Sequence, residues 1–159
     1  MKQDRFLLGI LVGIGVLVAL ALALFFARQG KQEYIAEDTP GGVVHNYTLA
    51  IFKGDYEKAY TYLAESENKP TYQAFRQAFF DRSIDPNSAG LEIGETEING
   101  GEAYVTVYVI YNPSEPFSGG YRNTETALLE RQDGKWKLLQ MPYAFWAYDW
   151  YQPTPQPVK

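Results

Sequence analysis

Residues 6–27 form a run of 22 positions without one charged side chain, built from Leu, Ile, Val, Ala, Phe and Gly. No other feature constrains this chain as strongly. As a helix rising 1.5 Å per residue, the run reaches about 33 Å, enough to cross a ~30 Å hydrocarbon core with modest tilt. A span in lipid must satisfy its own backbone hydrogen bonds, so the run reads as a transmembrane helix. A cleaved signal peptide is the competing reading, because Ala19-Leu20-Ala21 and Ala21-Leu22-Ala23 have the small-x-small form of a cleavage site. The apolar run continues through Leu24, Phe25 and Phe26, however, and exceeds the ~7–15 residues of a signal core, which favours an uncleaved anchor. Gly9 and Gly13 stand at the small-xxx-small spacing that permits close helix contact, although glycine is frequent in membrane helices in any case.

Lys2 and Arg5 on one side of the span are matched by Arg28 and Lys31 on the other. The initiator amine and the shortness of the 1–5 tail then place the N-terminus in the cytoplasm and the rest outside the cell membrane. Beyond residue 27 the chain carries 12 basic and 18 acidic residues, a net charge of −6. That balance argues against a nucleic-acid partner, which needs a basic footprint, and against a polybasic lipid-binding surface. The chain has no cysteine, which removes disulfides, thiolate metal sites and cysteine nucleophiles. A single histidine, His45, leaves no multi-histidine metal site, and no one loop carries enough oxygen ligands for calcium. Neither a metal nor a cofactor is expected.

Residues 28–38 are polar and read as a juxtamembrane linker. Thr39-Pro40 is a helix start, a hydroxyl N-cap followed by proline at the first helical position. Val43, Val44, Tyr47, Ala50 and Ile51 then recur at helical spacing. Gly54 ends that helix, and Asp55 caps a second, whose apolar positions are Tyr56, Ala59, Tyr60 and Leu63. After Asn68-Lys69-Pro70, a third helix starts at Thr71 and buries Tyr72, Phe75 and Phe79, with the burial of Phe80 left open by the spacing. From Leu91 the period changes to alternation, with Gly94 marking a bulge. Asn99-Gly100 and Asp133-Gly134 are hairpin turns, and residues 103–112, 121–131 and 136–141 are strands. A proline-bearing loop covers 112–120, and a proline-rich tail occupies 152–159. Three helices followed by a meander of about four antiparallel strands make an α+β domain over residues 39–151, the helices lying on one face of the sheet.

The helix, Gly-Asp break and second helix of Ala50-Ile51-Phe52-Lys53-Gly54-Asp55-Tyr56-Glu57-Lys58-Ala59-Tyr60, together with the hairpin Asp133-Gly134-Lys135-Trp136, resemble the nuclear transport factor two-like superfamily. The resemblance covers roughly residues 38–148. It implies a cystatin-like curved sheet wrapped round helices to form a cone, and a buried Trp136. Ketosteroid isomerase and scytalone dehydratase are enzymes of that superfamily. No motif of theirs matches around His45, Asp81 or Asp85, so no catalytic residue is carried over and the domain is read as non-catalytic. His45 reads as a half-buried packing or hydrogen-bonding residue beside the first helix stripe, and Asp81 and Asp85 as solvated or part of the end of the third helix.

Six aromatics fall in the nine residues from Tyr143 to Tyr151. Their alternation suits an extended segment that closes the open side of the cone, with Trp150 and Tyr151 returning to solvent after Asp149. Trp146, Tyr148, Trp150 and Tyr151 are accordingly the candidate binding surface, for a sugar, a proline-rich peptide or the bilayer interface. Two functional classes follow: a tethered module binding a small ligand or peptide in or beside the cone, and an assembly or scaffold subunit with a protein partner. A single N-terminal anchor before this fold is similar in architecture to inner-membrane assembly factors of type IV secretion systems. An open apolar pocket is the mark of the first class. A filled cone with an apolar patch outside marks the second.

Overall fold

The computed structural model describes residues 3–28, 33–111 and 121–152. The loop read at 112–120 and the proline-rich tail from 153 onward lie outside the described residues. The chain divides into two units, the first ending at Glu33 and the second beginning at Tyr34.

The first unit contains helix α1, Gln3–Arg28. Its side chains are exposed throughout Leu7–Leu24, a stretch with a mean hydropathy of 2.9, long and apolar enough to cross a membrane by length and composition. Across Leu7–Leu24 the apolar side chains point in every direction.

The second unit is α+β. Helix α2 (Pro40–Phe52) begins where its cap dictates: the Thr39 hydroxyl accepts from the Gly42 amide at 3.1 Å. Val43, Val44, Tyr47, Ala50 and Ile51 are all buried, as their spacing predicts. Gly54 adopts a φ of +69°, which ends α2 and turns the chain. The Asp55 carboxylate then accepts from the Lys58 amide at 3.1 Å and opens α3 (Tyr56–Thr61). Helix α4 (Tyr72–Phe80) is capped by Thr71 in the same way. Phe75 and Phe79 go into the core, but Phe80 faces outward and is 58 % exposed. A 3-10 turn, Pro86–Ser88, leads into the sheet.

Four antiparallel strands follow in meander order: β1 (Ala89–Asn99), β2 (Glu102–Tyr111), β3 (Tyr121–Gln132) and β4 (Lys135–Gln140). The register of β1 against β2 shifts between Ile93 and Thr96, around Gly94. A Cβ on Gly94 would stand 2.9 Å from the Tyr108 ring, so the bulge position has room for glycine alone. One face of the sheet is covered. Ala103, Val105, Val107, Val109, Ala127, Leu129 and Leu138 are all 0 % exposed, within a core that includes Val43, Tyr47 and Phe145. Trp136 is buried too. Tyr104, Thr106, Tyr108 and Ile110 occupy the other face and keep partial exposure.

Two long-range features were not legible in the sequence. Residues 62–64 add a parallel bridge to β4: the Ala64 amide donates to the Leu138 carbonyl, and the Leu138 amide to the Tyr62 carbonyl, each at 2.8 Å. Upstream of α2, the side-chain amide of buried Asn46 closes on the Ile35 backbone in both directions, at 2.9 and 2.8 Å. The Tyr62 hydroxyl donates to the Glu37 carboxylate at 2.6 Å. The segment 28–38, read as a linker, thus contains residues bonded to the folded unit, Ile35 and Glu37 among them.

Candidate functional site

The aromatic segment after β4 is not extended. It folds as successive turns, in which the Phe145 amide donates to the Pro142 carbonyl at 2.8 Å, Trp150 to Ala147 at 3.3 Å and Gln152 to Asp149 at 3.3 Å. Turns sort rings differently from a strand. Phe145, Trp146 and Trp150 are buried, while Tyr143 and Tyr148 point outward with ring centroids 5.9 Å apart.

This corrects the expectation that Trp150 returns to solvent. It is 6 % exposed, with its ring 5.0 Å from Phe75, 6.2 Å from Phe79 and 5.0 Å edge-on to Trp146. The physical reason is the face of α4: Phe75 and Phe79 present an aromatic seat, and Trp150 covers it. Tyr151 is corrected as well. It takes a φ of +63°, stacks on Trp146 at 5.7 Å and 12°, and donates its hydroxyl to the Ala64 carbonyl at 2.6 Å. Burial pushes that hydroxyl's pKa upward, with nearby Glu65 adding to the shift. Trp146, Tyr148, Trp150 and Tyr151 therefore do not share one exposed surface. Tyr148 faces solvent, and the other three build the wall behind it.

A cleft of about 500 Å³ opens where this wall meets α4 and the 67–70 connection. Of the four aromatic candidates, Trp150 lines it, with Ala78 and Ala147 beside it. Glu67, Lys69, Asp81 and Asp149 stand among its polar lining. The Lys69 ammonium is placed by Glu65 at 2.7 Å and by the Tyr60 ring at 4.2 Å. The Asp81 carboxylate accepts from the Ser83 hydroxyl and amide, at 2.6 and 2.9 Å, which holds its pKa below the usual range. Trp150, 6 % exposed, brings only a ring edge to this cleft, beside Ala78, Ala147 and groups of both charge signs, so the lining offers polar bonds and a small apolar contact.

The lining residues come from three separate parts of the chain, and no local motif joins them. The tie between parts is a backbone bond, from the Tyr151 amide to the Asn68 carbonyl at 3.2 Å. The other groups considered from sequence stand elsewhere. His45 is half-buried on α2, as expected, and Asp85 caps the 3-10 turn through the Asn87 amide at 3.2 Å. Among the described residues, no group of three His, Asp or Glu side chains is placed to hold a metal ion. Glu125, on the covered face of the sheet, was not singled out in the sequence; desolvation raises its pKa.

No family model matches the chain. No curated protein matches it either. Solved structures similar to it include an NTF2-like (nuclear transport factor two-like) protein from Campylobacter jejuni named as a candidate transpeptidase, with 21 % identity, a TM-score of 0.47 and coverage of 65 % of this chain and 99 % of that one. An uncharacterised cystatin-fold protein from Novosphingobium aromaticivorans shares 9 % identity at a TM-score of 0.43, over 67 % of this chain and all of that one, at 100 %. An NTF2-like protein of unknown function from Pseudomonas putida shares 14 % identity at a TM-score of 0.42, over 61 % of this chain and 77 % of that one.

Proposed function

We propose that this chain is a single-pass membrane protein whose α+β domain, a cone of the nuclear transport factor two-like kind, lies outside the cytoplasm and works by binding. Its ligand is a small molecule or short peptide, held beside the cone in the cleft whose lining includes Trp150. The observation that supports this is the pairing of the Trp150 ring with the Glu67, Lys69, Asp81 and Asp149 edge in one open cleft of about 500 Å³. Binding inside the cone is disfavoured by packing, since Val105, Val107, Val109 and Phe145 are each 0 % exposed where a ligand would sit. Acid–base chemistry is disfavoured by the use already made of its candidates, because Asp81 and Asp85 both hold turns.

The experiment is a titration of the reconstituted full chain, read by tryptophan emission, with neutral oligosaccharides and proline-rich peptides. A saturable change for one class, weakened about tenfold or more by the surface change Asp149→Lys, supports the cleft. Equal affinity in Asp149→Lys places binding elsewhere and rejects it.

A scaffold subunit is the second reading, favoured by the uncovered outer sheet face with Tyr104, Tyr108 and Ile110. Under it, pull-down of a membrane partner is lost on Tyr108→Glu and unaffected by Asp149→Lys.

A further inference from the structure

The folded unit exposes a second aromatic surface, away from the Trp150 cleft. At the end of α2 Phe52 is 42 % exposed, and at the end of α4 Phe80 is 58 % exposed. Half-buried Tyr56 lies between them, its ring 5.8 Å from Phe80. Two shallow grooves, of about 330 and 430 Å³, flank Tyr56 and share Gly54 and Tyr56 in their lining. Large apolar rings at the ends of two helices are costly to leave in water, so this surface calls for a cover.

The position of the surface identifies that cover. Tyr34, where the folded unit begins, lies under the ammonium groups of Lys53 and Lys58, at 4.6 and 4.4 Å from its ring centroid. Lys53 lines one of the two grooves and follows Phe52 directly. The chain thus joins the folded unit at the margin of the aromatic surface. Helix α1 ends at Arg28, six residue steps before Tyr34. Six steps of extended chain span at most about 22 Å, less than the diameter of a small domain.

The charges around the rings identify the kind of lipid surface. Lys53, Arg76 and Arg82 are matched by Asp55, Glu57 and Asp85 in the lining of the two grooves. Such a balanced rim gives anionic headgroups no advantage. Phe and Tyr rings favour the headgroup boundary itself, and Arg76, with its guanidinium 4.7 Å from the Phe80 ring centroid, can reach back to water from there.

We propose that Phe52, Tyr56 and Phe80 seat the folded unit on the outer surface of the bilayer that holds α1. The contact is interfacial and apolar, and it is indifferent to lipid charge. It rests on the reading of α1 as an anchor.

Because the chain has no cysteine, a single one placed at Phe80 can carry an environment-sensitive fluorophore. The full chain bearing Phe80→Cys is reconstituted into phosphatidylcholine vesicles, with Glu97→Cys on β1 as the comparison position. The expected result is a blue-shifted emission at position 80, quenched about twofold or more by lipids spin-labelled near the headgroup, a depth of about 5–10 Å. Emission at position 97 stays water-like. Adding anionic lipid or raising the salt leaves both unchanged. If the chain floats with the vesicles and resists carbonate, yet position 80 reports water, the seating is overturned and the anchor stands. If the chain does not float with the vesicles, anchor and seating both fall. Quenching that appears only with anionic lipid overturns the apolar contact. As a second check that spares the Cys label, Phe80→Ser, at the more exposed of the two rings, should shift the melting temperature little while opening the Tyr56 amide region to hydrogen exchange in vesicles; unchanged exchange rejects the contact.

Discussion

The hydroxyl of Tyr47, in the middle of α2, donates a hydrogen bond of 2.8 Å to the backbone carbonyl of Phe145. Both residues are 0 % exposed, so the bond fastens the C-terminal turns to the first core helix from inside. Burial also raises the Tyr47 pKa well above its ordinary value, which keeps the hydroxyl a donor. Tyr47→Phe leaves the Phe145 carbonyl unsatisfied with almost no change in volume. The expected loss is about 1–3 kcal/mol in chemical denaturation. A loss below about 0.5 kcal/mol would mean that the turns hold without this bond.

Trp150 and Tyr148 are separated by one residue and have opposite fates. Trp150→Ala removes a ring in contact with Phe75, Phe79 and Trp146, and should cost about 3–5 kcal/mol. Tyr148 is 76 % exposed, and Tyr148→Ala should stay within about 0.5 kcal/mol of the parent. Equal effects in the two variants would show that the segment is not folded as turns.

Glu37 couples stability to acid. Its carboxylate accepts from the Tyr62 hydroxyl and pairs with Lys58 at 3.4 Å, and these two partners lower its pKa from the ordinary 4.5, the Tyr62 bond contributing most. A carboxylate lowered on folding stabilises the fold above its unfolded pKa and loses that contribution as pH falls through the folded value. With Glu37 about half exposed, at 52 %, solvent screening limits the effect to about 0.2–1 kcal/mol. Melting temperatures from pH 6 down to pH 3 should therefore fall slightly more for the parent than for Glu37→Gln, with the two curves converging below about pH 4.5. Parallel curves across that window would remove Glu37 from the account.

Gly42 sits against the Ala36 backbone, where a Cβ would overlap the Ala36 carbonyl oxygen and lie 2.9 Å from the Thr39 hydroxyl. The Ala36 backbone has little room to yield, and the Thr39 hydroxyl is held as the cap of α2. Gly42→Ala should cost about 1–3 kcal/mol and speed amide exchange at Ile35, whose N–H is held by Asn46. If the Ile35 amide stays protected, the lead segment is held by something other than its fit against α2.

Local chemistry was readable and long-range placement was not. Thr39, Asp55 and Thr71 announce three helix starts because a cap is a contact over three residues. Gly94 marks the bulge and Asp133-Gly134 the turn for equally local reasons. The fate of Trp150 depends on Phe75 and Phe79, more than seventy positions earlier, which no alternation within residues 143–151 encodes. Phe80 follows Phe79 in an apolar run, and only the packing of α4 decides which of the two faces water. The cleft escaped notice for the same cause: its lining comes from three separate parts of the chain, and only the C-terminal turns bring Trp150 beside Glu67 and Asp81.

The most direct test of the proposed binding in the Trp150 cleft follows the indole signals of the three tryptophans in the isotope-labelled full chain. Trp150 lines the cleft, whereas Trp136 is the second residue of β4 and is buried. Titration with neutral oligosaccharides and proline-rich peptides should shift the Trp150 signal saturably and leave Trp136 in place. A ligand that moves Trp136 and not Trp150, or the absence of any shift across both ligand classes, would contradict the account.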